Sequence, residues 1–204
     1  LYASLIVVFA GIGFGVMCAL NQNKFIDRFF MVLSTLGATI PSFVLATGFL
    51  FIFSKTLGWV PSFGVDTAAG YIGPIVVIGA FSLSFITRLT RTSLLEVQQQ
   101  DYIRTARSKG ISEFKVTYKH ALRNALLPVI TYVGPMVASI VTGSFVIEKV
   151  FGIPGVGSLF TNSIINRDYP LIMGITVFFA ILLIISVLIV DFIYVLVDPR
   201  IKLD

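Results

Sequence analysis

The sequence predicts an all-α, polytopic membrane protein with five spans, and three observations support this fold class. Of the 204 residues, 56% are hydrophobic and only 12% are charged. The mean hydropathy is +0.96, so lipid must cover part of the surface. Five stretches contain no Asp, Glu, Lys or Arg, and each is long enough to cross a hydrocarbon core of about 30 Å as a helix. These stretches are 1–23, 29–54, 67–87, 124–147 and 169–190.

The apolar runs place the elements in chain order. We expect spanning helices near 2–20, 30–54, 71–94, 125–147 and 170–197. Apolar residues at helical spacing predict surface helices near 96–109, 112–123 and 156–166. In the first span, Gly11 and Gly15 have the four-residue spacing of a small-residue face against which another helix packs closely.

The beginning of the chain differs from a natural N-terminus. Leu1 opens directly into an apolar run, without a polar leader or a cationic segment. We therefore expect residues 1–204 to form one transmembrane domain of a longer protein whose N-terminal span lies upstream.

The basic residues fall unequally on the two sides of the predicted spans. Segments 24–28, 88–123 and 198–204 lie on one side and hold twelve of the fifteen Lys and Arg residues. Segments 55–66 and 148–168 lie on the other side and hold the remaining three. Because cytoplasmic loops carry the excess of Lys and Arg, the first side and the C-terminus are predicted to be cytoplasmic.

The two outer loops are rich in turn residues. Residues 55–70 read KTLGWVPSFGVDTAAG, with Trp59 where an interfacial aromatic residue would lie. The second loop has a corner broken by glycine and proline at 152–157, which we call the outer corner. Apolar residues at helical spacing follow it. They predict a short amphipathic helix on the outer face, with a plain connector as the alternative.

The longest cytoplasmic segment, residues 96–123, is predicted to form two helices, and we call it the elbow. From Glu96 to Lys109 the sequence is typical of a helix, and Gly110 follows directly. A cation in the last turn and then a glycine free to adopt positive φ mark a helix C-terminus. Ser112 is positioned to cap the second helix, with Glu113 in its first turn.

The second helix of the elbow is predicted to be amphipathic. Its apolar face consists of Ile111, Phe114, Tyr118, Ala121 and Leu122, and its opposite face carries Lys115, Lys119 and Arg123. One interpretation is a solvated basic loop that lies on anionic lipid. The other is a docking element for a protein, because solvent alone would leave the apolar face uncovered. The pattern leaves both open.

Four segments, in order along the chain, resemble one family. They read DYIRTARSKG, HALRNALLP, PGVGSLFTNSIINRDYPLIMG and DFIYVLVDPR. The elbow resembles the EAA loop of binding-protein-dependent ABC transporter permeases, with Arg104-Thr105-Ala106 in the E-A-A positions and Gly110 at the required distance. Arg and Thr depart from the sugar-permease form. They are similar to the dipeptide, oligopeptide and nickel branch, above all to the first of its two inner-membrane permease subunits.

The resemblance implies a function and a set of partners. The protein would be a permease subunit that forms half of the translocation pathway of an ATP-driven importer of dipeptides or oligopeptides in a prokaryotic plasma (inner) membrane. The partners would be a second homologous permease, two cytoplasmic ABC ATPase subunits and an extracytoplasmic substrate-binding protein. ATP and Mg²⁺ would be bound by the ATPase, and this chain would hold no cofactor.

The resemblance also implies two contact sites. The elbow would be the coupling helix in a groove of the ATPase, with its contact over 104–115. The implied coupling residues are Arg104, Thr105, Ala106, Arg107, Lys109, Gly110, Ile111 and Phe114. The outer loops would form part of an outer gate and contact the binding protein through Phe63, Pro154, Gly155 and Phe160.

Other functional classes lack their sequence signals. No G-x-x-x-x-G-K-[ST] phosphate loop occurs in this chain. A single cysteine, Cys18, and a single histidine, His120, exclude a disulfide framework and a His/Cys metal cluster within it. Nucleophilic catalysis is not expected, because the single histidine lies on the cytoplasmic elbow, remote from the serines of the spans and outer loops. A nickel or metal-chelate importer stays open within the family, and a secondary transporter would require ionisable groups at mid-membrane. Asp191, near the cytoplasmic end of the last span, is interpreted as a carboxylate close to the interface that pairs with a loop Arg or Lys; the alternative is a charge that lines the inner vestibule.

Overall fold

The computed structural model describes residues 2–197 of the protein, without the side chains of Thr142, Asp191 and 193–197. The described part is helical and contains no strand, which confirms the predicted fold class. The segment 198–204, whose basic residues Arg200 and Lys202 are predicted to be cytoplasmic together with the C-terminus, lies outside the described residues. The predicted pairing of the Asp191 carboxylate lies outside them too.

The described α-helices are numbered in chain order. They are α1 (Tyr2–Leu20), α2 (Phe25–Thr39), α3 (Ser42–Phe49), α4 (Ile72–Gln98), α5 (Asp101–Ser108), α6 (Glu113–Lys115), α7 (Leu122–Ala125), α8 (Leu127–Thr142), α9 (Phe145–Phe151), α10 (Val156–Ile165) and α11 (Tyr169–Val197). Two π-helical segments, Leu50–Thr56 and Val116–Ala121, continue α3 and α6, and a 3₁₀ turn, Ala68–Tyr71, leads into α4.

Three helical segments are long and apolar enough to cross a membrane, and they confirm the first, third and fifth predicted spans. They are Tyr2–Leu20, Ala68–Gln98 and Tyr169–Val190. Two bent pairs bring the possible number of spans to five. The described helices therefore agree with a five-span protein if each bent pair counts as one span.

The prediction of one helix over 30–54 is wrong. The chain bends by 109° between Phe25–Thr39 and Ser42–Thr56. Pro41 causes the break, because its ring excludes the α conformation for the residue before it and it has no N–H to donate. Ile40 accordingly adopts an extended backbone with ψ 126°.

The prediction of one helix over 125–147 is also wrong at its end. Helix α8 ends at Thr142, its C-cap residue Gly143 has φ +82° and ψ 179°, and α9 begins at Phe145. The elbow shows a third difference, since α4 runs to Gln98 and α5 begins only at Asp101. The surface helix predicted at 156–166 is confirmed as α10.

Close packing of α1 on α4 confirms the small-residue face predicted in the first span. A Cβ atom on Gly11 would lie 2.7 Å from the side chain of Ile86. One on Gly15 would lie 2.5 Å from Cβ of Thr90. Neither position has room for a side chain, so the two glycines let the helix axes approach.

Helix α4 connects the two ends of the molecule. Its 27 residues extend about 40 Å at 1.5 Å per residue. Leu94 belongs to an apolar cluster with elbow residues, whereas Val77 belongs to a cluster with Phe151 of α9. The elbow and the α9–α10 region therefore lie at opposite ends of α4, as the topology predicts, and we call these the elbow end and the far end.

A buried ion pair joins α2 to α4 at the elbow end. The Asp27 side chain is only 3% exposed, and both its oxygens accept hydrogen bonds from Arg91, at 2.6 Å from Nε and 2.7 Å from Nη2. The backbone N–H of Asn23 donates to the same carboxylate at 2.8 Å. Three donors thus compensate one buried charge.

Replacing Asp27 is expected to destabilise the fold. Asp27→Ala leaves the Arg91 guanidinium half-buried without its carboxylate, at a cost of about 1.5–3 kcal/mol for a charged hydrogen bond. A fall of several degrees in the thermal unfolding midpoint of the detergent-solubilised protein would show it. Asp101→Ala is the control, because that carboxylate is 98% exposed and lies 3.6 Å from Arg104. Equal midpoints for the two variants would contradict the prediction.

Candidate functional site

The turn of the elbow is closed by two backbone hydrogen bonds around Gly110. The N–H of Gly110 donates to the carbonyl of Arg107 at 2.9 Å, and that of Ile111 donates to the carbonyl of Ala106 at 3.4 Å. This pair of bonds defines a Schellman motif, which needs a left-handed residue after the helix. Gly110 has φ +74°, which confirms the predicted positive φ. A Cβ atom there would meet no other atom within 4 Å, so only the backbone conformation requires glycine.

The underside of the elbow is anchored to the ends of two spans. Ile103 and Ala106 of α5 are buried in one apolar cluster with Val16 of α1 and Leu94 of α4. Ile111, directly after the turn, packs against the same cluster. A displacement of the elbow must therefore displace the ends of α1 and α4 as well.

The prediction that one apolar face runs through the second helix of the elbow is wrong. Ala121 is buried, whereas Phe114 is 71% exposed and Tyr118 is 45% exposed. The π-helical segment Val116–Ala121 explains the difference, because its i→i+5 hydrogen bonds widen the turn and shift the register of the following residues. The apolar residues thus divide into an inner group and an exposed aromatic pair.

The two exposed aromatic side chains pack on each other. The ring centroids of Phe114 and Tyr118 are 4.5 Å apart. Lys115 and Lys119, next to them in the chain, are exposed as well. The elbow therefore presents an aromatic pair bordered by cations on the side away from the spans.

The charged residues of the elbow differ in their surroundings. Arg107 forms two hydrogen bonds to Glu113 across the turn, at 2.9 Å and 3.3 Å. Arg104 lies 3.6 Å from Asp101, with both side chains exposed. Lys109 is exposed and takes part in none of the described ion pairs. Arg107 therefore stabilises the elbow internally, while Arg104 and Lys109 face outward.

Two other predicted elbow residues act locally. The hydroxyl of Thr105 donates to the carbonyl of Asp101 at 2.9 Å, within its own helix. Ser112 occupies the N-cap position of α6, but its side chain makes no capping hydrogen bond, so its predicted capping role is wrong. Its backbone carbonyl instead accepts the N–H of Val116 at 2.9 Å.

At the far end, the two outer loops meet at the outer corner. Gly152 has a left-handed backbone with φ +66°, and the ring of Phe63 occupies the space that a Cβ atom on it would need. The N–H of Gly64 donates to the carbonyl of Phe151 at 2.8 Å. Of the predicted gate residues, Phe63, Pro154 and Gly155 thus lie on or against this corner. Phe160 instead packs towards α11, with its ring centroid 6.1 Å from that of Phe179.

A buried carboxylate that the sequence analysis missed fixes α10 at the outer corner. Glu148 is only 7% exposed and accepts hydrogen bonds from the N–H groups of Gly157, at 3.3 Å, and Ser158, at 2.7 Å. These are donors in the first turn of α10, where a negative charge is stabilised. Gly143 and Gly155 lie directly against the carboxylate, with no room for a Cβ. One feature of the sequence could have indicated this site: Glu148 is an acid within the apolar stretch FVIEKVF and is close to several glycines.

Comparison with known proteins gives one consistent result. Residues 11–203 match a family described as binding-protein-dependent transport system inner membrane component. The chain is 50% identical over 201 residues to the dipeptide transport system permease protein DppB of Bacillus subtilis, covering 98% of this chain and 65% of that protein. It is 45% identical over 197 residues to the oligopeptide transport system permease protein OppB of Haemophilus influenzae, covering 96% and 64%. The chain thus spans slightly less than two thirds of the length of these relatives.

Glu148 is predicted to hold the first turn of α10. Glu148→Ala removes the acceptor for two backbone donors, and loss of a cap costs about 1–2 kcal/mol. Amide hydrogen exchange in Val156–Ile165 should accelerate roughly 5- to 30-fold. The exposed acid Glu113 supplies the control, since Glu113→Ala should leave this exchange unchanged. Unaltered exchange in Glu148→Ala would mean that the carboxylate does not hold the helix.

Proposed function

Because this chain belongs to the family of binding-protein-dependent transport system inner membrane components, we propose that it forms half of the translocation pathway of an ATP-driven importer. The other half comes from a second homologous permease. The subunit is not catalytic: two cytoplasmic ATPase subunits bind ATP and Mg²⁺ and hydrolyse the nucleotide. The domain over 1–204 supplies the membrane part, and the elbow, 96–123, supplies the contact with the ATPase.

One observation carries this proposal: one side of the elbow is buried against the spans, and the other side is exposed. Its underside is buried with Val16 and Leu94, at the ends of two spans. Its outer side exposes the pair Phe114 and Tyr118. An exposed aromatic pair suits a protein interface, because aromatic residues are enriched in the cores of such contacts. Docking is favoured over a loop lying on lipid, since the inner residues fix the orientation of the aromatic pair.

The proposed interface follows the residues of the turn. Arg104, Lys109 and Phe114 contact the ATPase directly. Arg107 and Gly110 maintain the shape of the elbow, the first through Glu113 and the second through its backbone. Ala106 and Ile111 attach the elbow to the spans, so force applied at the interface reaches the membrane helices.

The orientation and the outer contact follow from the same proposal. The elbow end and the C-terminus face the cytoplasm, in agreement with the excess of basic residues on that side. The far end then faces an extracytoplasmic substrate-binding protein. Phe63, Pro154 and Gly155 at the outer corner form part of the outer gate and of the contact with it. Phe160 contributes through α10.

The proposed substrates are dipeptides or oligopeptides. The support is the identity of 50% and 45% to a dipeptide and an oligopeptide permease. A metal-chelate importer is the alternative within the family. A secondary transporter would require ionisable groups at mid-membrane, whereas the ion pair of Asp27 and Arg91 lies at the elbow end, outside the charge-free stretches.

The positive φ of Gly110 is expected to be required for coupling. In Gly110→Val the left-handed conformation costs about 1–2 kcal/mol, and the elbow opens to relieve the strain. Peptide uptake into reconstituted vesicles and ATP hydrolysis stimulated by loaded binding protein should both fall sharply at equal membrane abundance. Gly110→Asn is the matched control, because asparagine tolerates this conformation, and it should retain most activity. Normal transport by the valine variant would exclude the elbow as the coupling element.

The aromatic pair is expected to dominate binding of the ATPase. Truncating a central aromatic residue of an interface costs 2 kcal/mol or more, which weakens binding roughly 30-fold. Phe114→Ala and Tyr118→Ala should each reduce the amount of ATPase that co-purifies with the permease. Lys115→Ala should have little effect, because an exposed ion pair contributes about 0–1 kcal/mol. If ATPase binding is unchanged in both aromatic variants, the interface lies elsewhere.

A further inference from the structure

A cleft with four serine hydroxyls lies between α3, α4, α8 and α9. Its volume is about 200 Å³. Its polar lining comes from Ser42, Ser82, Ser139 and Ser144. Ser82 lies 14 residues after Ala68, the first residue of its span, which places it about 20 Å along the helix. Ser82 is thus about three quarters of the way along the charge-free stretch 67–87, and Val77, which also lines the cleft, is at its middle. The cleft therefore lies within the span and not at either surface.

Two breaks in the spanning helices open onto this region. Gly143 and Ser144, between α8 and α9, line the cleft itself. Pro41, at the break between α2 and α3, lines an adjoining cleft of about 310 Å³ that shares Ser42, Val77 and Phe81 with the first. Non-helical backbone at membrane depth is tolerated only where it is buried in protein or lines a water-filled cavity. Both breaks line these clefts, which is the arrangement expected where this side of α4 faces water or substrate.

Two hydroxyls in the cleft differ from several hydroxyls elsewhere in the spans. The hydroxyls of Thr47, Thr131 and Thr176 each donate to a carbonyl of their own helix. They therefore need no partner outside that helix. The side-chain hydroxyls of Ser139 and Ser144 take part in none of the hydrogen bonds found among the described residues. The Ser82 hydroxyl accepts a hydrogen bond from the Tyr132 hydroxyl at 3.4 Å. Hydroxyls without an intrahelical acceptor remain free to bond a ligand.

We propose that this cleft is a subsite of the translocation pathway that hydrogen-bonds the backbone amides of a passing peptide. The inference rests on the proposed function and deepens it. A hydroxyl both donates and accepts, so it matches the N–H and the C=O of a peptide group. None of the described residues that line the cleft is charged. The Glu148 carboxylate, which lies against Gly143, already accepts hydrogen bonds from backbone donors of α10. The walls beside the hydroxyls include Val77 and Phe81, which suit the apolar parts of a substrate.

Such a subsite fits the needs of transport across a membrane. Conduction requires binding that is strong enough for entry and weak enough for release. Neutral hydrogen bonds to the backbone satisfy this condition and are independent of the peptide side chains. The cleft therefore favours a broad range of peptides rather than one sequence.

The first test asks whether the cleft is in contact with water. Ser139→Cys, assembled with its partner subunits in vesicles, should react with a charged methanethiosulfonate, and the modification should lower peptide uptake at least tenfold. Thr176→Cys is the control. Its neighbours on α11 are exposed apolar residues that lipid is expected to cover, so a charged reagent should not reach this position. The native Cys18 is fully buried and supplies the background. An unreactive Ser139→Cys, with and without ATP, would overturn the inference.

The second test uses the substrate. Uptake of a tripeptide is compared with uptake of the same peptide methylated on its backbone amides, which removes the N–H donors. Ser139→Ala should lower the ratio of the two rates by about 2- to 10-fold, the value of one hydrogen bond, whereas Thr176→Ala should not change it. The binding protein discriminates between the two peptides equally in all permease variants, so its effect cancels when the ratios are compared. An unchanged ratio in Ser139→Ala would overturn the subsite alone, whereas a wild-type assembly that takes up no peptide would overturn the proposed function and the subsite with it.

Discussion

The close contact between α1 and α4 is the constraint on which the rest of the structure depends. Gly11 and Gly15 remove the side chains that would separate the two helices, and Ile86 and Thr90 occupy the space. In a membrane, packing of this kind replaces the hydrophobic effect as the force between helices, since lipid is as apolar as the side chains. The paired helices then offer one continuous support for the elbow at one end and, through α4, for the outer corner at the other.

Rigid and bent elements have separate places around this support. The elbow, with Ile103 and Ala106 buried, is attached to the α1–α4 pair. The bends at Pro41 and Gly143 lie beyond it, in elements that pack on the far half of α4. If the elbow transmits the motion of an ATPase, this arrangement moves α1 and α4 as a unit. The broken helices are then the places where the backbone can adjust, next to the cleft lined by serines.

Buried charge is compensated locally at both ends of the molecule. At the elbow end, the Asp27 carboxylate is held by Arg91 and by the backbone N–H of Asn23. At the far end, the Glu148 carboxylate is held by backbone donors of α10 rather than by a cation. The first arrangement ties two spans together, and the second orients a surface helix. An unpaired charge at either position would be costly, which explains why each acid has several donors.

Composition and charge by themselves determined the fold class, the approximate spans and the placement of the elbow opposite α10. Those features depend on averages over many residues. The left-handed turn at Gly110 was also predictable, because its signal is local.

Only the tertiary structure decided where helices break, since proline and glycine are tolerated within spans and an apolar run does not reveal which of them bends the chain. It also decided which elbow aromatics are exposed, because a π-helical turn shifted the register. The partners of Asp27 and Glu148 could not be predicted from the sequence either, because Arg91 lies 64 residues from Asp27 and the donors to Glu148 belong to the next helix. Contacts between elements depend on how the helices pack, and helical periodicity within one element carries no information about that.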